Sequence, residues 1–426
     1  MTRNQHLFSA LVALFCFPQL LQAQCTGGRF HQFVFPGTPT LTSNIQYGTN
    51  VPYNSATPQN LELDVYQPNG DNAPLRPLVL VFHGGSFISG SKTGNDVVPL
   101  CQDLARLGYV SASVEYRLGM NNFPFPGPNQ VDATEAVMRA VQDARAAVRF
   151  FRKEASNGNP YKIDTNHIYM AGVSAGGFIA LHLAYLDQVA EIPAGVNMNA
   201  ASLLGGLDGS SGNPGYSSNV KGIINIAGAL GDTAWIKSGD IPCLSLHGTN
   251  DGTVPYGSDV ITLAGLFPLM MVHGSSSVTA RLNLLNIQNC FEIQEGQGHV
   301  PHVAQAAYYD TLLVLSRNFL EHYVCGVPLV CTYNGAIPSS VSDIDYLTRG
   351  FDVYPNPSYG QLHVRTAENN SMQHLRIYNS LGECLLNTSV NGTHYQVDLS
   401  TWANGVYWIQ SETADGRRVR TFVKED

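Results

Sequence analysis

Between residues 76 and 324 the chain alternates short, continuously apolar runs with stretches whose apolar positions recur at helical spacing. Parallel strands covered on both faces read as unbroken apolar runs, so the alternation predicts a mostly parallel sheet with helices on both sides. "RPLVLVFHG" (76–84) is such a run. "YVSASVEYRL" (109–118), "HIYMAGV" (167–173), "VKGIINIAGA" (220–229), "IPCLSLHG" (241–248) and "CFEIQEG" (290–296) continue the series. In "NDVVPLCQDLARLG" (95–108), Val97, Leu100, Cys101, Leu104 and Leu107 form one stripe and Gly108 is a fitting stop. After the Pro-rich loop "NNFPFPGPNQ" (121–130), Val137, Val141, Ala144, Val148 and Phe151 mark a long amphipathic helix. Further helices are predicted over 175–186 and 303–324. "TLTSNIQYG" (40–48) and "LELDVYQP" (61–68) add antiparallel strands at one edge, making a sheet of about eight strands. The Gly- and Ser-rich stretch 203–219 reads as a long surface loop.

After Cys331 the pattern changes. The stretch 334–345 has the texture of a linker, and the tail beyond Phe351 holds only short alternating strands separated by turn residues. "LRIYNSLGECLL" (375–386), "YQVDLS" (395–400) and "GVYWIQSE" (405–412) alternate apolar and polar residues, as strands of a small two-layer β-sandwich do. The predicted organisation is an α/β domain over 24–331, a linker over 332–348 and an all-β domain over 349–426. Ahead of these, residues 1–23 pair Arg3 with an apolar stretch from Leu7 to Leu21, interrupted by Pro18 and followed by small and polar residues. That is the arrangement of a secretory signal peptide cleaved after Ala23, and it is short for a membrane span. No later segment is long and apolar enough to cross a membrane.

Composition narrows the function classes. The 426 residues are 44% hydrophobic and 13% charged, which suits packed cores rather than disorder. A net charge of −9, with no run of Lys or Arg, argues against a nucleic-acid partner. Export permits disulfides. Removing Cys16 with the signal leaves seven of the eight cysteines, an odd number, so at least one stays unpaired within the chain. Cys325 and Cys331 lie close together in the sequence and form the expected pair, whereas Cys243 and Cys290 sit near strand starts where buried thiols are ordinary. No cysteine spacing matches a zinc site, and no cofactor is implied.

The candidate chemistry centres on "YMAGVSAGGF" (169–178). Ser174 falls between a predicted strand and a predicted helix, and Gly172, Gly176 and Gly177 allow the tight turn that exposes a nucleophilic hydroxyl. Serine needs a general base, and the base needs an acid to orient it. In the expected chain order, Asp251 follows the strand 241–248 and His299 follows the strand 290–296. Asp240 precedes its strand and Asp259 lies past the loop, so Asp251 is preferred, and His299 follows its strand more directly than His302. His182, inside a helix, and His247, at a strand end, read as structural. A tetrahedral oxyanion needs fixed N–H donors. The loop His83-Gly84-Gly85-Ser86 ends a buried strand, its glycines let the backbone approach a substrate, and the helix start adds the Ala175 amide. His83 is expected to brace the loop.

The segments "HGGSF", "VEYRL", "GVSAGG", "HGTNDGTVP" and "GQGH" together resemble the α/β-hydrolase superfamily in its HGG-bearing esterase and lipase branch, over roughly residues 40–324. The resemblance implies a Ser174–His299–Asp251 triad, an oxyanion hole at Gly85, Ser86 and Ala175, and hydrolysis of carboxylic esters through an acyl-enzyme. One departure is Ser86, where many relatives carry a third glycine, but its backbone N–H survives. Short-acyl esters, ester decorations on polysaccharides and polyesters all fit such chemistry, and the loops 121–130 and 187–219 are expected to border the pocket. A peptidase of the prolyl-oligopeptidase-like type and a catalytically dead adhesion scaffold are the alternatives. In the tail, "FDVYPNPSYGQLHV", "IYNSLGE", "VDLSTWANGVYWI" and "FVKED" resemble the C-terminal sorting domain of the type IX secretion system. That resemblance implies a Gram-negative source, passage through the periplasm, and display on or release from the cell surface. Trp402, Tyr407 and Trp408 lie within its motifs and are expected to pack in the core rather than stack on sugars.

Overall fold

A computed structural model describes residues 25–263, 265–335, 337, 351–366, 371–379, 383–413 and 416–425. The predicted signal peptide and most of the predicted linker lie outside the described residues. Contacts divide the chain into two compact units, Met1–Ile337 and Pro338–Asp426.

In the first unit, eight strands form one sheet in the spatial order β1-β2-β4-β3-β5-β6-β8-β11. The strands are β1 (Thr40–Asn50), β2 (Gln59–Gln67), β3 (Arg76–Phe82), β4 (Val110–Val114), β5 (Ile163–Val173), β6 (Ile223–Ile226), β8 (Cys243–Gly248) and β11 (Asn289–Gln294). β1 and β2 pair antiparallel at one edge, and the remaining strands run parallel from β4 to β11. Alternate side chains of one strand feed two cores. Leu78, Leu80 and Phe82 of β3 join the long helix α2 (Gln130–Ser156) and α3 (Ala175–Tyr185) on one face. Val79 and Val81 join α1 (Val98–Leu107) and α5 (Ala306–Cys325) on the other. Asn129 caps α2 through a reciprocal capping box with Asp132.

Several segments depart from expectation. β6 is only Ile223–Ile226, because Ala227 takes a left-handed φ of 52° and turns the chain out of the sheet. Ala229–Leu230 (β7) then joins a second small sheet with β9 (Ser258–Leu263) and β10 (Phe267–Gly274), in the order β7-β10-β9. Neither β9, β10 nor the helix α4 (Ser275–Leu284) stands out in the sequence, since their faces are largely polar or exposed. The stretch 203–219 is not a free surface loop. Arg149 donates to the Gly212 and Asp208 carbonyls, and Ser211 is fully buried.

The expected Cys325–Cys331 bridge does not form. Cys325 bonds to Cys25, and Cys331 bonds to Cys290 at the head of β11. Gly326 caps α5 with a left-handed φ of 70° and redirects the chain, so that the Cys331 sulfur reaches the Asn289 carbonyl beside Cys290. Cys101 and Cys243 are buried free thiols, and Cys384 is an exposed one.

In the second unit, a three-stranded sheet β12-β13-β16 (Asp352–Tyr354, Gln361–Arg365, His394–Asp398) and a four-stranded sheet β15-β14-β17-β18 share one core. The latter strands are Cys384–Gly392, Met372–Tyr378, Gly405–Thr413 and Gly416–Lys424. Tyr407 is buried in that core and Trp402 packs against it. Trp408 is 38% exposed, contrary to expectation, because successive side chains of β17 face opposite sides and its neighbours Tyr407 and Ile409 take the inner one.

Candidate active site

Ser174 is the single residue between β5 and α3. Its φ of 55° and ψ of −114° fold the chain back sharply, and its amide donates to the Ile226 carbonyl at 2.8 Å. The neighbouring glycines are steric necessities. A Cβ on Gly172 would overlap the Gly176 carbonyl, and one on Gly176 would overlap the Phe82 carbonyl, so helix and sheet approach at backbone contact. The hydroxyl thereby stands at the C-terminal edge of the sheet, where open α/β sheets place their sites.

The loops after β8 and β11 are laced together at the same edge. Gly248 leaves room for the carbonyls of Gln297 and Gly298, and the Asn250 amide donates to Gln297 at 2.9 Å. That closeness brings His299 Nδ1 to 2.7 Å from Asp251 Oδ2 and His299 Nε2 to 2.9 Å from Ser174 Oγ. The other Asp251 oxygen accepts from the Thr253 and Val254 amides at 2.8 and 2.9 Å. Burial pushes the Asp251 carboxyl up, but hydrogen bonds from His247 and His299 outweigh it and hold the group well below the usual carboxylate range. Asp251 therefore stays ionised and keeps the imidazole tautomer with Nδ1 protonated, leaving Nε2 free to accept the serine proton.

The competing residues sit elsewhere. Asp240 accepts from the Lys237 amide and Asp259 from that of Val260. His302 is buried in a short turn next to His299, and burial drops its pKa to about 4. His182 donates through Nδ1 to the Phe178 carbonyl within α3. His247 does more than the sequence suggested: its Nε2 lies 3.2 Å from Asp251 Oδ2. A lone histidine ending a strand carries no sequence signal of that contact.

Above the serine, Gly85, Ser86 and Phe87 all have positive φ, of 115°, 53° and 63°. Only the first is a glycine, and a Cβ there would meet the Ser89 carbonyl. The strained loop is braced from several sides. Asp96 accepts the Gly84 amide at 2.7 Å, the fully buried His83 donates through Nδ1 to the Gly84 carbonyl at 2.7 Å, and Tyr116 stacks on the His83 ring at 4.3 Å. The Gly84 amide is thus occupied. A Cβ on Gly84 would lie 3.2 Å from the Ser174 Cβ, which shows how closely the loop and Ser174 approach.

An apolar cleft opens at Ser174, Ser86 and Ala175 and is walled by α2, Phe178 and the β9–β10 hairpin. The loops 121–130 and 187–219 do not line it. Phe123 instead packs edge-on against Phe267 of the hairpin, and Phe125 points out, 86% exposed. Among the described residues, no His, Cys, Asp and Glu side chains gather as a metal site would require.

Residues 63–230 match the BD-FAE family, and residues 352–425 match the family of the secretion system C-terminal sorting domain. The chain joins an α/β-hydrolase domain to a secretion sorting domain. The chain is 33% identical over 124 residues to carboxylesterase 3B of Mus musculus and 35% identical over 109 residues to esterase LipI of Mycobacterium tuberculosis. These alignments cover 29% and 25% of this chain and 20% and 28% of the two relatives, so the chain spans under a third of either. Among solved structures, it is similar to esterase 2 of Thermogutta terrifontis phosphorylated by paraoxon, at 21% identity and a TM-score of 0.48, over 68% of this chain and 97% of that one. A truncated carbohydrate esterase from gut microbiota is 17% identical with a TM-score of 0.47, over 67% and 97%.

Proposed function

We propose that the hydrolase domain cleaves carboxylic esters, with Ser174 as nucleophile, His299 as general base and acid, and Asp251 as the group that orients and charges with it. The continuous Ser174 Oγ–His299 Nε2–Asp251 hydrogen-bond path, at 2.9 and 2.7 Å, carries this reading. Ser174 Oγ bonds to the ester carbonyl carbon while its proton passes to His299 Nε2. The carbonyl oxygen becomes an oxyanion held by the amides of Gly85, Ser86 and Ala175. Collapse breaks the carbon–oxygen bond to the alcohol, which takes the proton from His299 and leaves. Water then attacks the acyl-enzyme, giving its proton to His299, and the Ser174 oxygen is expelled and reprotonated.

The sorting-domain match supports export of the whole chain, with residues 1–23 as a cleaved signal peptide, passage through the periplasm of a Gram-negative cell, and delivery to the surface or medium. Replacing Ser174 with Ala should lower kcat/KM on p-nitrophenyl acetate by about 10⁴ or more and abolish labelling by a fluorophosphonate probe. Retention of most of the activity in Ser174→Ala removes the reading.

A further inference from the structure

The cavity at Ser174 is one of a pair. A second space adjoins it, lined by Gln130, Thr134, His182 and Trp235 among others, and the two share Val137 and Met270 as walls. Val137 comes from the N-terminal third of α2, whereas Met270 comes from β10 of the hairpin. The ladder between β9 and β10 slips its register between Pro268 and Met270, and a slip of that kind re-aims the side chain that follows it. Met270 is thereby turned inward, its sulfur 3.4 Å from Thr134 Oγ1 on α2, while its neighbour Met271 is half-exposed. Met270 is thus a flexible side chain at which hairpin and helix touch.

The wall composition defines what the front cavity takes. Ala133, Val137, Phe178, Leu263, Leu269 and Met270 supply apolar surface, and no lining residue carries a charge. Beyond Met270 the second space mixes apolar walls, among them Met138, Leu186 and Trp235, with the polar side chains of Gln130 and His182.

We propose that Met270 is the specificity-determining residue that closes the acyl cavity and limits the substrate to short, neutral, aliphatic acyl groups. The inference rests on the ester-hydrolase reading above and names the acyl class for that same site. Lengthening the acyl chain buries more apolar surface until the chain meets Met270, and each methylene accommodated is worth about a fourfold gain in kcat/KM. Past that length the tail has either to displace Met270 or to leave the cavity, and kcat/KM falls. An acyl group ending in a carboxylate finds no counter-charge and is rejected at any length.

The test is a series of p-nitrophenyl esters from acetate to dodecanoate, with succinyl-type esters alongside, on the full chain, Met270→Ala and Met270→Trp. For the first chain length disfavoured by the native protein, Met270→Ala should raise kcat/KM relative to acetate by about tenfold, and Met270→Trp should move the maximum to shorter chains. The same relative profile in all three proteins overturns the proposal. A native protein that hydrolyses no ester of any length instead removes the underlying reading, which separates the two failures. Should the variants not fold, the native protein alone still decides. Its labelling by p-nitrophenyl alkylphosphonates must rise and then break with alkyl length, and a rate that keeps rising through dodecyl overturns the role of Met270.

Discussion

His247 Nε2 approaches Asp251 Oδ2 at 3.2 Å, the same oxygen that accepts from His299 Nδ1 at 2.7 Å. The direction of that contact is fixed from deep in the sheet. The Gly228 amide donates to Asn225 Oδ1, so the Asn225 amide nitrogen faces the Ser245 and Ser275 hydroxyls and donates to both. Ser275 is then free to give its own proton to His247 Nδ1 at 2.8 Å, and Nε2, which faces the two acceptors Asp251 and the Val254 carbonyl, carries the ring proton. Asn225, Ser275 and His247 are fully buried, so the chain of donors cannot turn over into water.

His247 is accordingly a positioning residue that supplies the fourth donor to the Asp251 carboxylate. Replacing it with Leu should cost about 10- to 100-fold in kcat, the worth of one hydrogen bond to a charged group. His247→Gln, which keeps a side-chain donor, should lose less. A purely structural role would leave the downfield proton resonance of His299 Nδ1 where it is. Here that resonance should move in His247→Leu while the melting temperature changes little, and an unmoved resonance refutes the assignment.

These two histidines also mark how far the sequence could be read. The inner strands β3, β4, β6 and β8 were legible because each is an apolar run buried on both faces, and the Ser174 turn was legible because its glycines are sterically required. Ser174, Asp251 and His299 could be nominated because each follows a strand end in order. Asn225, Ser275 and His247 could not, since single polar residues in apolar strands look alike whether they brace a site or merely fill a core. The β9–β10 hairpin was missed for a different reason. Its strands pair outside the main sheet and leave half their residues exposed, so neither a continuous run nor a clean alternation appears. The bridge at Cys325 shows the limit of sequence proximity, because one left-handed glycine sends the next five residues toward a different strand.

Acid should destabilise the hydrolase domain before its carboxylates titrate. Burial holds both His182 and His302 down at about 4, from an ordinary 6.5, so the unfolded chain binds these two protons at a higher pH than the folded one. Stability is therefore full above about pH 6.5 and falls as pH drops toward 4, by on the order of 3 kcal/mol for each group, with no further loss from these groups below that. Asp251, held low in the folded state, adds its own loss only at still lower pH. Urea unfolding at pH 7, 5.5 and 4 measures the slope, and His182→Gln should remove about half of it. An equal slope in that variant rules out His182 as a source.

Arg117 and Asp143 form an ion pair with both side chains fully buried, 2.9 Å apart, between the end of β4 and the middle of α2. The same guanidinium donates to the Val51 and Ser202 carbonyls, and Ser211 donates to Asp143 at 2.5 Å. Asp143→Asn keeps the shape and removes the charge, leaving a buried cation without its partner. It should destabilise the domain by about 3–5 kcal/mol, whereas the double change Arg117→Leu and Asp143→Leu should cost less than Asp143→Asn alone. Denaturant titration of the three proteins distinguishes an uncompensated charge from a simple loss of packing, for which the double variant would be the worst.

The two disulfides fasten the same corner of the hydrolase domain from two directions. Cys25–Cys325 ties the start of the described chain to the end of α5, across 300 residues, and Cys290–Cys331 ties the segment after α5 to the head of β11, across 41. β11 is the edge strand that carries His299 on its following loop, so the second bridge anchors the platform of the candidate base. On loop-closure entropy alone a bridge of that span constrains the unfolded chain by about 4 kcal/mol. Non-reducing peptide mapping should recover Cys290 linked to Cys331 and none of Cys325 linked to Cys331. Cys290→Ser with Cys331→Ser should lower the unfolding free energy by a few kcal/mol and raise hydrogen exchange in β11 ahead of the strands nearer the centre. Because β8 holds the inner side of β11 through a full parallel ladder, kcat at 25 °C should change far less than stability.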